Sequence, residues 1–220
     1  MRWLVRSVLF CVAAVILLTC VCLVWFFLYS RDLPDIGGLR RYAPNQVSRV
    51  SDPCVGESIA IPYDAIGDNL RAALNAAEAN ERPGYAGLPV QISRTMFCAP
   101  SRTLNRELTE MRVAAQLQRR FSRTELLTIY ANRTYFGENL IGVEAASEHY
   151  FHKEPNQLEV AEAALLAGMI RGPSRFSPFK HPDRALQRRN EVIDAMVEGH
   201  AISIEEGVAA KATSLAVATR

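Results

Sequence analysis

An uninterrupted apolar run, Val8 to Tyr29 (VLFCVAAVILLTCVCLVWFFLY), constrains this chain more than any other feature. About 20 such residues cross the hydrocarbon core of a bilayer as a helix. No polar face interrupts the run, which argues against a buried core helix. A cleaved signal peptide is the rival reading. The stretch is longer than a usual signal core, however, and no small-x-small cleavage site follows it. Trp25, Phe26, Phe27 and Tyr29 form an aromatic belt at the far end, as interfacial anchors do. Arg2 and Arg6 precede the run, so the positive-inside rule places the N-terminus in the cytoplasm and everything after Ser30 outside. The sequence therefore predicts one uncleaved transmembrane helix.

The rest of the 220 residues is enough for one well-cored domain. A net charge of +2 is close to balance and gives no argument for nucleic acid. Cys11, Cys20 and Cys22 lie in the apolar run, where thiols behave as small hydrophobes. Cys54 and Cys98 are the remaining pair, in a compartment that permits disulfides. A bridge between them and two buried thiols both fit the sequence, which supplies no geometry. Leu17 stands three before Cys20, but Leu18 and Thr19 are poor stand-ins for the small residues of a lipoprotein signal.

Three segments follow from composition: a stub and anchor over residues 1–30, a Pro-, Gly- and charge-bearing linker over 31–45, and a domain over 46–220. Gln46 to Tyr63 alternates in short stretches around SDPCVGE, which predicts a β-hairpin. Beyond it the pattern is helical. Apolar spacing and caps predict helices over Asp64–Asn80, Leu104–Phe121, a segment from Ser122 to Asn132, Gly142–Phe151, Gln157–Ile170, Pro182–Glu198 and Ser203–Thr219. Ser122 with Glu125 three residues on is a capping box. Gln157–Ile170 is apolar but short and carries Glu159 and Glu162, so it reads as a core helix and not a second span. No His-Glu-x-x-His or Cys/His set marks a metal site, and the glycines at 137 and 142 lack the Lys-Ser/Thr of a phosphate loop.

Two carboxylates are candidates for chemistry. Glu78 ends a small-residue helix, NAAEAN, from which it could reach a cleft; composition alone favours a solvated helix-end glutamate. Arg106 and Glu110 stand four apart, which suits either a surface ion pair or a site.

The order YFG-x4-GVEAA (135–146), EAALLAG (162–168) and GPSRFSPF (172–179) resembles the peptidoglycan glycosyltransferase domain, glycosyltransferase family 51. That domain occurs in bifunctional penicillin-binding proteins and monofunctional transglycosylases. The resemblance runs from about Val50 to the C-terminus, interrupted by one large deletion. It implies a mainly α, lysozyme-like helical domain with a short N-terminal β-hairpin, behind the transmembrane helix. RAALNAAEAN (71–80) resembles the family's first motif and puts Glu78 on the general-base position; the Asp that should follow is Ala79, and the motif's Phe and His are missing. Only ERPGYA separates this helix from GLPVQISRTMF, where Gln91 survives from the second motif and Ala86 and Gly87 replace its Ser-Thr pair. RELTE (106–110) matches the Arg-Lys-x-x-Glu motif at Arg106 and Glu110, the second functional glutamate, but Glu107 replaces the lysine. A carboxylate there repels a diphosphate. RTELLTIYAN (123–132) keeps Arg123, Leu127, Tyr130 and Asn132 of the fourth motif, and RRNEVI (188–193) resembles the fifth. Ser177 and Lys180 spell Ser-x-x-Lys, without the partners a transpeptidase needs.

By resemblance, then, Glu78 and Glu110 are the catalytic candidates, and Arg106, Gln91, Arg123, Tyr130 and Asn132 the substrate-binding ones. The implied reaction polymerises lipid-linked disaccharide-peptide into glycan strands, with a divalent cation such as Mg at the diphosphate. The implied location is a bacterial inner membrane, single-pass, with the domain periplasmic and other cell-wall synthesis proteins as partners. The altered motifs support a second reading, a non-catalytic relative that binds glycan or a synthesis partner. A third keeps Glu78 as the lone acid of a glycan-cleaving enzyme.

Overall fold

The computed structural model describes residues 2–29, 33–79, 87–96, 103–215 and 217–218. It divides into two units, Met1–Asp35 and Ile36–Arg220. The first is built on one helix, α1 (Arg2–Tyr29), of 28 residues. Its described side chains from Phe10 to Phe26 are all exposed, and none is charged. Among the described residues no helix is long and apolar enough to cross a membrane, the run of described side chains in α1 being shorter than the helix itself.

The second unit is mainly helical with one two-stranded antiparallel sheet, consistent with a lysozyme-like fold. It starts earlier than the sequence suggests. Ile36, Leu39 and Tyr42 recur at a spacing of three and are buried along a 3-10 turn over Gly37–Tyr42, so residues 36–42 belong to the domain and not to the expected linker. The hairpin follows as β1 (Ser48–Asp52) and β2 (Gly56–Ala60), with Ser48 opposite Ala60 and Asp52 opposite Gly56. Its inward face carries Val50, Asp52, Ser58 and Ala60.

Eight helices follow: α2 (Asp68–Ala79), α3 (Leu88–Thr95), α4 (Leu104–Arg120), α5 (Arg123–Arg133), α6 (Val143–Phe151), α7 (Val160–Met169), α8 (Pro182–Glu198) and α9 (Ile204–Ala212). The α7 helix packs against both α2 and α8, which also touch each other. Its residues Ala163 to Met169 are all buried, and the small ones among them let neighbouring backbones approach. The α3 helix packs on α4 and α5. The Ser122–Glu125 capping box opens α5 as the sequence predicts, and α8 has its expected bounds.

Three helix boundaries differ from expectation, each for a local reason. The helix expected from Asp64 begins at Asp68, after a 3-10 turn over Tyr63–Ile66. Gly67 takes φ +78°, and a Cβ there would lie 2.5 Å from the Asn156 Cα, so the chain bends where only glycine fits. The α7 helix starts at Val160, because Pro155–Gln157 forms a 3-10 turn and extended Glu159 caps the helix with Glu162. The α9 helix stops at Ala212 instead of Thr219. Buried Arg189 closes its end, donating to the carbonyls of Lys211 (3.0 Å) and Thr213 (2.8 Å). Beyond it, the Ala218 N–H donates to the Tyr150 carbonyl at 2.7 Å.

The hairpin is fastened from α5, since a two-stranded ribbon is marginal alone. Arg133 donates to Asp52 (2.5 Å) and to the Thr95 carbonyl (3.1 Å), tying hairpin, α5 and α3 together. Burial alone would raise the Asp52 pKa; the Arg133 guanidinium, the Cys54 N–H and Arg41 outweigh it and hold the carboxyl below its ordinary value. Cys54 itself is disulfide-bonded, and Cys11, Cys20 and Cys22 are free. Cys98 lies outside the described residues, as do Ala86 and the shortened segment at 80–86.

Candidate active site

Glu78 is not the solvated helix-end glutamate that composition favours. It is 7% exposed, held in by the alanine-rich final turns of α2. Tyr130 of α5, itself buried, donates its hydroxyl to Oε1 at 2.5 Å. Oε2 is buried with no hydrogen-bond partner. Burial raises the Glu78 pKa above its ordinary value, against the opposing pull of the Tyr130 hydroxyl and then of Arg171, Arg94 and Arg188. The Tyr130 hydroxyl is raised well above its ordinary value, by burial and then by the facing carboxylate, so it remains a donor.

Glu78 lines a cavity of about 450 Å³ together with Asn75, Leu88, Pro89, Phe121 and Arg123. That volume falls within the range of about 300–1,000 Å³ typical of small-molecule sites. Arg123, in the first turn of α5, donates to the Asn75 Oδ1 at 3.2 Å, which fixes a cation at the rim. Among the described residues the lining therefore combines an apolar floor, one carboxylate and one guanidinium.

Glu110 is the centre of a second cluster. Its Oε1 accepts from the Arg106 Nε at 2.8 Å, and its Oε2 lies 3.6 Å from the Arg94 Nε. The carboxylate side chain is 13% exposed, so this is not the surface pair that an i,i+4 spacing alone suggests. Arg94 also donates to the Gln91 Oε1 at 3.4 Å. Gln91, Arg94, Arg106 and Glu110 thus form one network across α3 and α4. Glu107 stands apart from it, exposed in the first turn of α4, where a carboxylate complements the positive end of the helix dipole.

Asn132 has a different part from the one the motif implied. It is fully buried, its Oδ1 accepts from the Ile61 N–H (3.1 Å), and its Nδ2 donates to the carbonyls of Tyr42 (2.9 Å) and Ile61 (2.8 Å). Both of its N–H donors and one acceptor site of its oxygen are spent on the scaffold. Of the expected site residues, Glu78, Tyr130 and Arg123 come together at the cavity, and Gln91, Arg106 and Glu110 at the second cluster. The sequence reading missed Arg94, three residues after Gln91 on the same face of α3, and Arg171, at the end of α7. Arg94 pairs with Glu110 and also acts on Glu78, so it couples the two clusters.

Both Glu110 oxygens face guanidinium groups, and no group of three His, Cys, Asp or Glu able to hold a metal occurs among the described residues.

The family described as "Transglycosylase" matches residues 59–197. Penicillin-binding protein 1A of Aquifex aeolicus is 37% identical over 140 residues, which is 61% of this chain and 19% of that protein. Penicillin-binding protein 1F of Bacillus subtilis is 36% identical over 132 residues, 60% of this chain and 18% of that protein. The chain thus spans about a fifth of the length of these relatives. In structure, penicillin-binding protein 1A of Haemophilus influenzae matches 80% of this chain and 21% of its own, with a TM-score of 0.51 at 22% identity, a likeness of fold. With its match running from the end of β2 through both carboxylate clusters to the last turn of α8, this chain belongs to the transglycosylase family.

Proposed function

We propose that the protein is a membrane-anchored peptidoglycan glycosyltransferase that joins lipid-linked disaccharide-peptide units into glycan strands. The observation that carries this reading is Glu78, a buried carboxylate of raised proton affinity on a cavity wall, with one oxygen fixed and the other free. Oε2 takes the proton of the acceptor sugar hydroxyl as that oxygen bonds to the donor's anomeric carbon. The bond from that carbon to the diphosphate oxygen breaks, and the diphosphate leaves with the electron pair. Tyr130 holds the carboxylate in place, and Arg94 and Arg106, positioned by Glu110, face the charge that develops on the leaving group.

A substrate carried on a lipid suits an anchored enzyme, with α1 in the inner membrane and the domain outside. Leu104, Leu108 and Met111 form an exposed apolar stripe along α4, which supports contact with the same bilayer. The replacement of the motif lysine by exposed Glu107 favours the second reading, a relative that binds glycan or a synthesis partner without turnover.

Incubating the detergent-solubilised chain with labelled lipid-linked disaccharide-pentapeptide separates these readings. Polymer from the wild type and none from Glu78→Gln is the expected result. A wild type that is folded by circular dichroism, binds glycan and makes no polymer sinks the polymerase. Shortened strands released from preformed glycan would replace it with a lytic enzyme.

A further inference from the structure

We propose that the disulfide at Cys54 is a redox-controlled positioning element: closed, it sets the end of α3 and with it Arg94, and opened, it releases both. Cys54 is disulfide-bonded, while Cys11, Cys20 and Cys22 are free. Of the five cysteines in the sequence, that leaves Cys98 as the partner, outside the described residues. Cys54 stands in the turn between β1 and β2, its N–H donating to the Asp52 Oδ1 at 2.8 Å. Its Sγ lies 3.7 Å from the carbonyl oxygen of Met96, the residue that closes α3. The bridge therefore ties the hairpin turn to the end of the helix that carries Gln91 and Arg94.

That helix needs a tie. The α3 helix has eight residues, and Gly87 gives its start no side-chain cap. Helices this short are marginal on their own. Arg133 reaches the Thr95 Oγ1 and carbonyl at 3.1 Å each, and holds the hairpin through buried Asp52. Those bonds fasten hairpin and α5 whatever the state of the sulfurs. Arg94 precedes Thr95, and its Nε stands 3.6 Å from the Glu110 Oε2. That length is beyond a hydrogen bond, so the seat of α3, more than this contact, sets where the guanidinium stands. Arg94 also acts on the Glu78 charge. Misplacing a group at a reacting centre by about 1 Å can cost about 10²-fold in rate. The switch itself is a thiol–disulfide exchange. The two thiols lose two protons and two electrons in joining, and the disulfide of an external oxidant, such as oxidised glutathione, accepts them and leaves as two thiols. In a reducing compartment the chain holds Arg94 loosely; in an oxidising one it holds Arg94 in place.

The effect on turnover rests on the glycosyl-transfer reading; the bridge and its grip on α3 do not. Hydrogen exchange of the detergent-solubilised full chain, read by mass spectrometry, tests the grip without turnover. Reduction with dithiothreitol should speed exchange in α3 by about tenfold, leave α8 unchanged and keep the circular dichroism spectrum. Oxidised glutathione should reverse it. Unchanged exchange in α3, or unfolding of the whole domain, overturns the positioning role. With lipid-linked disaccharide-pentapeptide as substrate, reduction should lower kcat/KM about tenfold, the worth of a hydrogen bond to a charged group. C54S should show the same loss and no response to dithiothreitol; a fully active C54S overturns the proposal. Reduction should cost R94A less than about twofold, since the bridge acts through Arg94. An equal loss in R94A and the wild type overturns that link. A wild type that loosens α3 on reduction yet never makes polymer removes the polymerase reading and leaves the grip on α3 standing.

Discussion

Glu78 and Glu110 are both mostly buried glutamates near arginine, yet they are prepared for opposite tasks. Glu110 has a guanidinium against each oxygen, so its charge is neutralised where it stands. Glu78 has one neutral donor, Tyr130, on one oxygen and nothing on the other. Burial dominates at Glu78 and raises its proton affinity. A carboxylate held between two guanidinium groups positions those cations. A carboxylate left short of partners in a dry site holds a proton more tightly and is placed to accept one. The difference lies in what surrounds the two groups, since the side chains are the same.

The severest way to break this comparison is Glu78→Gln. It should lower polymerisation by about 10²–10⁴-fold, the usual contribution of a general base, while the circular dichroism spectrum is kept. A milder loss would move the base elsewhere. Glu110→Gln frees Arg94 and Arg106 and should lower kcat/KM by about 10–100-fold, the worth of a hydrogen bond to a charged group. If its loss equals that of Glu78→Gln and lies wholly in kcat, the two carboxylates act as one unit. Tyr130→Phe removes the lone donor to Glu78, so burial goes further unopposed and the proton affinity of Glu78 rises. The acidic limb of the pH–rate profile should move to higher pH, with a drop of about two- to tenfold at neutral pH. An unshifted limb would mean that the limb belongs to another group.

The smallest effect is on stability. The folded state holds the Glu78 proton more tightly than the unfolded chain does. The stability linked to neutral Glu78 is therefore full below the ordinary glutamate range, declines as pH rises through the raised value, and is flat above it. Asp52 runs the other way: its contribution is present above the ordinary aspartate range and is lost as pH falls through its depressed value. In urea melts between about pH 4 and 8, the wild type should lose stability relative to Glu78→Gln as pH rises across the Glu78 window. A difference independent of pH would show that Glu78 titrates normally.

The local features of this domain were legible in the sequence, and the distant ones were not. The hairpin, the Ser122–Glu125 box and the limits of α8 depend on residues within a few positions of one another. Glu110 is legible because its motif neighbour Arg106 survives, and Glu78 because its helix resembles the family's first motif although the Asp, Phe and His of that motif are gone. Whether Glu78 is solvated or buried depends on Tyr130, 52 residues away, which no local pattern reveals. Arg94 reads as an ordinary surface arginine until α3 lies against α4. Asn132 reads as a substrate-facing motif residue until the carbonyls of Tyr42 and Ile61 meet it. The break at Gly67 is set by the approach of Asn156, again from far along the chain.

Tyr130 and Asn132 have a joint consequence for assembly. Two residues apart on a helix, they point about 200° from each other. One side of α5 therefore meets Glu78 while the other grips Tyr42 and Ile61, closing separations of 52, 90 and 71 residues. Such closures are entropically unfavourable until the contacts at both ends form. During synthesis from the N-terminus, the first half of the domain has to wait for α5 before it can be locked. When α5 seats, it pins the hairpin and supplies the reacting carboxylate's hydroxyl donor in one event. Loosening α5 should release both together, so the domain gains its scaffold and its chemistry at the same moment and loses them at the same moment.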